Sequence, residues 1–489
     1  MRRLAAVALC GALLTGCDLA PHYKVPVVSV PASYRDTAIW RTASPADVAP
    51  KADWWRDFND PVLDKLEDEL NRQNITLAAA AATFDQARAN AGAAEAGLLP
   101  QFGVQGGLAR TQYTSNAAGK TDFLKAHGLV PDFIARNTLA GGLTYEIDFW
   151  DQVHNQIAAG EAAAQATGAQ LAFLQLSLQA ELANDYLLLR GLDAEEDLLK
   201  HTVAAYQQAL DVAQNRFAGK IAPAMDVTRA QAQLESARAQ LDDVGARRAL
   251  AEHAIATLVA VPAPAFSIPP FVAEIKLPSL PPSVPSSLLQ RRPDIAAAER
   301  RVAASNAMIG VARAAFFPNI ALNAIGGVQS SNLNMFTAPA TFFSLGPTLR
   351  LPIFEGGLLN AQEAATIAGF NVSTADYRST VLTAFQEVED ALAQLHYYGV
   401  EEADDKRALA AAQRTLDMSM ALYQDGATNF LEVVVAQESL LGTQLLLLQL
   451  QTQYLQSGVR LVRALGGGWS RDDLPKLEQM PLYHVNIAQ

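Results

Sequence analysis

The stretch LLQRRPDIAAAERRVAASNAMIGVARAAFFP, residues 288–318, contains a helical segment with proline near each end. Pro293 and Asp294 suit a first helical turn, because proline loses no hydrogen bond there and a carboxylate meets the positive end of the helix dipole. After Pro318, apolar and polar residues alternate as in a strand. The same order of helix, proline and strand occurs once earlier, at residues 93–102. The sequence therefore predicts two copies of one structural unit, joined near residue 270.

Three motifs of the chain are WWRDFNDPVL at 54–63, the block from RPDI to FP at 292–318, and LGGGW at 465–469. They resemble motifs of the TolC-like outer-membrane efflux factors, in the lipoprotein branch often called NodT-type. Together they span nearly all of the chain after its leader. The resemblance implies a mainly α-helical, internally duplicated protomer with four membrane strands. It also implies a homotrimer, in which a twelve-stranded β-barrel continues as a coiled-coil helical barrel through the periplasm.

Composition favours long helices and gives no sign of catalysis. Apolar residues make up 50% of the chain and aromatic residues only 7%, a mixture that suits extended helices better than a compact α/β enzyme. The net charge of −13 argues against nucleic acid as a partner. After its leader, the sequence contains no HExxH, P-loop, GxSxG or cysteine pair. We therefore predict a protein that is not an enzyme and has no cofactor or metal.

The N-terminus predicts export and attachment to membrane lipid. Two arginines and an apolar run up to Leu14 indicate a signal peptide over residues 1–16. The sequence LTGC resembles a bacterial lipobox, in which Cys17 would receive the lipid that anchors the mature chain. The alternative is a plain signal peptide with an incidental cysteine. Asp18 resembles a signal that retains lipoproteins in the inner membrane of some bacteria. We nevertheless expect the outer membrane, because a barrel can assemble only there.

Periodicity and proline content divide the mature chain into five parts. Several prolines and no sustained period predict an extended arm before Asp60, and helical periodicity then runs to Leu99. A proline-rich segment without periodicity separates the two repeats, and the end of the chain is also nonperiodic. The predicted parts are an arm at 17–59, a first repeat at 60–261, a linker at 262–287, a second repeat at 288–468 and a tail at 469–489.

Four segments alternate apolar and polar residues and form two predicted hairpins, at 101–149 and 319–354. Each segment has about the length of a tilted membrane strand, although alternation suits a soluble sheet equally well. The mature chain has no run of 18 apolar residues, so any membrane crossing must be made by a barrel. Four strands leave open edges, so protomers must share one barrel. Two protomers would give eight strands and a nearly filled interior, whereas three can leave a lumen.

A long helical pattern follows each hairpin, at about 150–216 and 357–423. A helix of roughly 65 residues reaches on the order of 100 Å, which no single globular core requires. The returning helices carry apolar residues at alternating steps of three and four, which predicts antiparallel coiled-coil hairpins. The seam residues are Val227, Ala230, Leu234, Ala237, Leu241 and Val244, and 206 positions later Val433, Ala436, Leu440, Thr443, Leu447 and Leu450.

The turns of these helix hairpins, at 216–227 and 422–433, resemble the family's periplasmic end, where helices coil inward and close the tunnel. The resemblance implies that Asp226 and Glu432 form an acidic ring at a constriction, which would favour cations. It also makes Tyr423 a candidate for a hydroxyl that holds the closed state, a role that Phe217 cannot fill. The alternative is that both carboxylates simply occupy the favourable first turn of a helix.

The chain departs from the family pattern at three positions near these turns. Thr428 stands where some members have a basic tie, Val435 where some have a second acidic residue, and Lys220 displaces the first turn's glycine by one. We therefore expect the closed state to be held differently in this chain.

The resemblance also implies partners. A periplasmic adaptor, or membrane fusion protein, would dock at the hairpin ends and link them to an inner-membrane pump, commonly a proton-driven one of the RND type. The predicted function is the passive outer-membrane exit duct of a tripartite efflux pump for drugs, metals or other small molecules. One alternative is a duct for ATP-driven type I protein secretion. The other is a lipid-anchored periplasmic coiled-coil scaffold that crosses no membrane.

Overall fold

The longest elements of the protein are two helices of 67 residues and two of 35 residues. The computed structural model describes residues 18–30, 34, 53–112, 133–272, 275–277, 291–331 and 336–474. In chain order the elements are α1 (Pro61–Gln73), α2 (Ile75–Glu95), β1 (Gln101–Gln112), β2 (Phe133–Ile147), α3 (Gln152–Ala218), α4 (Ala224–Leu258), α5 (Pro293–Ala314), β3 (Asn319–Ser330), β4 (Thr341–Arg350), α6 (Leu358–Gln424) and α7 (Phe430–Ala464).

The two long hairpins, α3–α4 and α6–α7, match each other in length. Each boundary of the second hairpin lies 206 residues after the corresponding boundary of the first. In both hairpins the predicted seam forms the contact between helices. Ala230, Leu234, Ala237 and Val244 are buried on α4, and Val433, Ala436, Leu440, Leu447 and Leu450 are buried on α7. Val227, Leu241 and Thr443 are partly exposed.

The four strands form one antiparallel sheet in the order β1-β2-β3-β4. Apolar residues of neighbouring strands lie opposite one another, as in the pairs Phe102–Leu143 and Ile320–Leu349. Phe102 and Phe343 are 71% and 88% exposed, so this apolar face is not covered within the protomer. Within the sheet β1 and β4 each have a single neighbour. Each therefore presents an open edge.

The limits of two strands differ from the sequence-based prediction. The alternating pattern predicts that β2 begins at Asn137, whereas it begins at Phe133, and β4 ends at Arg350 rather than near residue 354. Arg350 pairs with Asn319, the first residue after Pro318, so β4 has no further partner on β3. Pro352 also lacks the backbone N–H that a longer strand would need.

The single helix predicted up to Leu99 is interrupted at Asn74. The side-chain oxygen of Asn74 accepts a hydrogen bond from Leu77 N at 2.9 Å and so caps α2. Its amide nitrogen donates to the carbonyl of Leu258, at the C-terminal end of α4, at 2.8 Å. The prediction of one continuous helix was wrong because this buried asparagine ends α1 and begins α2.

The first described part of the predicted arm, residues 18–30, lies against α5 and the start of α3. Its last part was wrongly predicted to be extended, because Trp54–Phe58 form a short 3-10 helix with buried aromatic side chains. Asn306 donates to the carbonyl of Pro21 at 2.7 Å, and Arg313 donates to the carbonyl of Leu19 at 3.3 Å. The hydroxyl of Tyr23 contacts the carboxylate of Glu299. Asp18 accepts a hydrogen bond from Asn155 at 3.1 Å. Cys17 lies outside the described residues, so its lipidation stays a prediction.

Several charged side chains are buried, although the pattern of amphipathic helices predicts a solvated acidic face. The Asp193 carboxylate contacts Arg190 at 2.8 Å and Arg248 at 2.7 Å. It also accepts a hydrogen bond from the backbone N–H of Phe271, which belongs to the predicted linker. Glu67 on α1 is fully buried, and neither of its carboxylate oxygens has a hydrogen-bond partner among the described residues. Burial raises the pKa of Glu67 well above its usual value.

Helix α7 is the one helix in the described part of the chain that is long and apolar enough to cross a bilayer. This property rests on length and composition alone. The helix packs along α6 and α3, and its apolar residues form the coiled-coil seam. Packing within the protein therefore accounts for part of its apolar character.

Candidate functional site

The two hairpin turns have the same backbone structure. In the first, Lys220 N donates to Phe217 O and Ile221 N donates to Arg216 O, both at 2.9 Å. In the second, Gly426 N donates to Tyr423 O at 3.0 Å and Ala427 N donates to Leu422 O at 2.8 Å. Lys220 and Gly426 both have positive φ. Each is the left-handed residue that closes a Schellman motif. The sequence repeat thus places equivalent residues at equivalent positions in the two turns.

The structure brings two of the predicted residues, Asp226 and Tyr423, together across the hairpins. Asp226 lies in the first turn of α4 and is only 5% exposed. Tyr423 lies in the last turn of α6 and is 3% exposed. The Tyr423 hydroxyl is the donor to Asp226 Oδ2, at 3.5 Å. This long hydrogen bond joins the end of one hairpin to the end of the other within one protomer.

The surroundings of Tyr423 further disfavour ionisation of its hydroxyl. Burial, followed by the negative charge of Asp226, raises the pKa of Tyr423 above its usual value of 10.0, and the nearby Arg216 partly opposes this rise. At neutral pH the hydroxyl is therefore a hydrogen-bond donor, as the carboxylate of Asp226 requires. The ring packs against Phe430 with a centroid distance of 5.1 Å, which fixes its orientation.

The third predicted residue, Glu432, is not part of this contact. It occupies the position in α7 that Asp226 occupies in α4, but it is exposed. Among the described residues it has no hydrogen-bond or ion-pair partner. Two carboxylates that are equivalent in sequence therefore have different surroundings, one between hairpins of the same protomer and one open to solvent.

Sequence reasoning assigned no role to Arg216, although this residue is central to the contact between hairpins. Its Nη1 donates to the carbonyl of Gln424 at 2.9 Å, and its guanidinium carbon lies 4.7 Å from the centroid of the Tyr423 ring. The sequence contained one indication of this role, a difference between the repeats: Leu422 occupies the position of Arg216 in the second turn. We refer to Arg216, Asp226, Tyr423 and Gln424 as the cross-hairpin contact.

A second cluster, formed by Asp148, Asp151 and His154, has a geometry that could hold a metal ion. Its possible ligand atoms lie within 4.8 Å of one another. Asp148 Oδ2, however, accepts the backbone N–H of His154 and contacts its Nδ1, both at 2.9 Å. Asp148 thus satisfies a backbone donor in the first turn of α3, and this role explains the cluster without a cation.

Comparison with known proteins identifies the family. The model of the outer membrane efflux protein family matches residues 66–261 and 284–467. The chain belongs to this family. Nodulation protein T of Rhizobium leguminosarum bv. trifolii is 30% identical over 472 residues, which cover 94% of this chain and 96% of that protein. The pyoverdine export outer membrane protein OpmQ of Pseudomonas aeruginosa is 30% identical over 476 residues, covering 96% and 98%.

Solved structures agree with the fold of this outer membrane efflux protein. The MtrE outer membrane channel of Neisseria gonorrhoeae, in its open state, is similar with a TM-score of 0.78 and 25% identity. The match covers 93% of this chain and 99% of that one. The outer-membrane channel OprN gives a TM-score of 0.83 and 26% identity, covering 93% and 100%. The prediction of a TolC-like outer-membrane efflux protein is confirmed.

Proposed function

We propose that three copies of this chain form the outer-membrane exit duct of a tripartite efflux pump. The observation that carries the proposal is the four-stranded sheet with open edges at β1 and β4. An unpaired edge in lipid leaves each backbone polar group without a partner, at a cost of several kcal/mol per group. Edge-to-edge pairing of three sheets removes all open edges and gives a twelve-stranded barrel with room for a lumen.

The long hairpins would continue this barrel into the periplasm. Three protomers supply six hairpins, and helices of 67 residues reach on the order of 100 Å. The duct conducts passively and catalyses no reaction. Energy comes from an inner-membrane pump of the proton-driven RND type, linked through a periplasmic adaptor that meets the hairpin ends. The name of OpmQ, a pyoverdine export protein, supports export of small molecules, and the similarity to the MtrE outer membrane channel supports a duct.

The cross-hairpin contact would hold the periplasmic end closed. Asp226 and Tyr423 tie the first hairpin to the second within each protomer, so the two cannot separate without breaking this hydrogen bond. Glu432 is exposed and has no such tie. Three copies of Glu432 around the axis form an acidic ring that favours cations and opposes anions. Asp226 thus acts on closure, and Glu432 acts on selectivity.

Conductance in a planar bilayer tests this proposal. We would compare the purified mature protein with the double variant Asp226→Ala/Glu432→Ala, after checking that each migrates as an SDS-resistant trimer that dissociates on boiling. We expect small, cation-preferring openings for the wild type, and larger openings with less cation preference for the double variant. The control is Asp242→Ala/Glu438→Ala, which removes two exposed carboxylates from the same helices, α4 and α7, away from the turns.

Each result separates one part of the proposal from the others. If the double variant and the wild type conduct alike, the duct stands and the gate assignment is wrong. Equal effects of the double variant and the control would indicate that the total negative charge of the helices, rather than the residues at the hairpin ends, determines conductance. If a folded trimer does not conduct in any form, the duct itself is wrong and the periplasmic scaffold becomes the better explanation.

A further inference from the structure

Arg216 contacts the second hairpin in two ways at once. Its Nη1 donates to the backbone carbonyl of Gln424, the last residue of α6, at 2.9 Å. A cation at this position is favoured by the negative end of the helix dipole. The same guanidinium lies over the Tyr423 ring, 4.7 Å from its centroid, which is within the range of a cation–π interaction.

These contacts compensate the partial burial of the guanidinium. The Nε of Arg216 is buried and has no hydrogen-bond partner in the part of the chain that the structure describes. A buried donor without a partner is costly, so the side chain depends on Gln424 and Tyr423 for its interactions. If the second hairpin moved away, Arg216 would lose both.

The contact is directional, because the two repeats differ at the positions involved. The first hairpin supplies the cation and the carboxylate, Arg216 and Asp226. The second hairpin supplies the ring and the helix end. The residue equivalent to Arg216 in the second hairpin is Leu422, which cannot make either polar contact. Each protomer therefore has one such contact, and three would be present in a trimer.

We propose that Arg216 is the basic residue that holds the hairpin ends closed in this chain. The sequence has Thr428 at the position where the resemblance implies a basic tie, so that tie is absent. Arg216 replaces it from the other hairpin of the same protomer. It is a positioning residue that acts through Tyr423, whose ring it covers and whose hydroxyl reaches Asp226. This inference rests on the proposed gate.

The test is single-channel conductance of Arg216→Ala and Arg216→Lys beside the wild type. Arg216→Ala should shift the ratio of open to closed states on the order of tenfold toward open, the scale expected for loss of a charged hydrogen bond. Arg216→Lys keeps the charge but has no planar guanidinium, so we expect an intermediate shift. The control is Arg229→Ala, which removes a partly exposed positive charge from α4 close to the same turn.

The outcomes distinguish this inference from the gate on which it rests. The inference is supported if Arg216→Ala opens the channel, Arg229→Ala does not, and Arg216→Lys retains partial closure. Equal effects of Arg216→Ala and Arg229→Ala would overturn it, since loss of any nearby charge would then suffice. If Asp226→Ala/Glu432→Ala opens the channel and Arg216→Ala does not, the gate stands and the inference is wrong. If neither opens it, both fail.

Discussion

Lys220 and Gly426 occupy equivalent left-handed positions at the ends of α3 and α6, with φ of 58° and 76°. Glycine adopts this conformation without strain, whereas a side chain crowds the following carbonyl. The glycine of the first turn, Gly219, lies one residue earlier and is the helix cap, with φ of −74°. In the first turn a lysine therefore performs the task that glycine performs in the second.

This difference predicts that Lys220→Gly stabilises the first hairpin by about 0.5–1 kcal/mol, the gain from relieved strain less the entropy of an added glycine. The measurement is loss of helicity on heating, followed by circular dichroism. The reciprocal variant Gly426→Lys should lower the unfolding temperature. Identical melting of wild type and Lys220→Gly would show that the turn carries no strain.

Tyr423→Phe isolates the hydroxyl of the cross-hairpin contact. It removes the hydrogen bond to Asp226 but keeps the ring under Arg216. We expect larger or more frequent openings in a planar bilayer, with the helical content unchanged. Phe217→Tyr adds a hydroxyl at the equivalent position of the first hairpin and should leave conductance as it is. Conductance equal to the wild type in Tyr423→Phe would remove the hydroxyl from the gate.

Asp193→Ala should destabilise the protein by about 3–5 kcal/mol per protomer, because it leaves the buried Arg190 and the partly exposed Arg248 without their shared carboxylate. Heat-induced dissociation of the trimer measures this loss. The control is Asp197→Ala, one turn further along α3, where the side chain is 53% exposed and a small effect is expected. Similar melting of the two variants would mean that Asp193 does not organise this region.

Asp185→Asn should stabilise the protein at neutral pH. Burial, with a smaller contribution from Glu181, raises the pKa of Asp185 to about 6. A carboxyl whose pKa is higher in the folded state binds protons more tightly there, so its ionisation lowers stability as pH rises from about 4 to about 6. Allowing for partial exposure, the cost above that window is about 1–2 kcal/mol.

The gain from Asp185→Asn should therefore be full at pH 7.5 and small at pH 4. Thermal melts of the variant and the wild type at these two values check the sign. The control Asp242→Asn replaces an exposed side chain, so we expect it to change stability little at either pH value. A gain that is equal at both pH values would assign the effect to something other than ionisation of Asp185.

The repeat, the long helices and the strands could be predicted from periodicity, because each depends on local patterns that recur along the chain. The end of β4 could not be predicted in this way, because it depends on where β3 begins after Pro318 and so on which residues of β3 can pair with β4. The break at Asn74 also escaped prediction. It depends on the carbonyl of Leu258, which is distant in sequence.

The candidate site shows the same division. The positions of Asp226 and Tyr423 beside the hairpin turns could be predicted from the sequence, whereas their roles in a gate stay predictions. That they meet across hairpins, and that Glu432 does not join them, depends on side-chain packing between distant segments. Glu67 is the clearest case of a pattern that misleads, because a glutamate in an amphipathic helix is normally expected to face solvent, and this one is fully buried.

Because the two hairpins have equal lengths, their ends lie at the same level and can contact each other. Removing seven residues from both α3 and α4 would keep the seam in phase but shorten that hairpin by about 10 Å. Arg216 and Tyr423 would then lie at different heights and could not touch. The same deletion in all four long helices would restore their alignment in a shorter duct. A change of length in one hairpin therefore has to be matched in the other for the end to close.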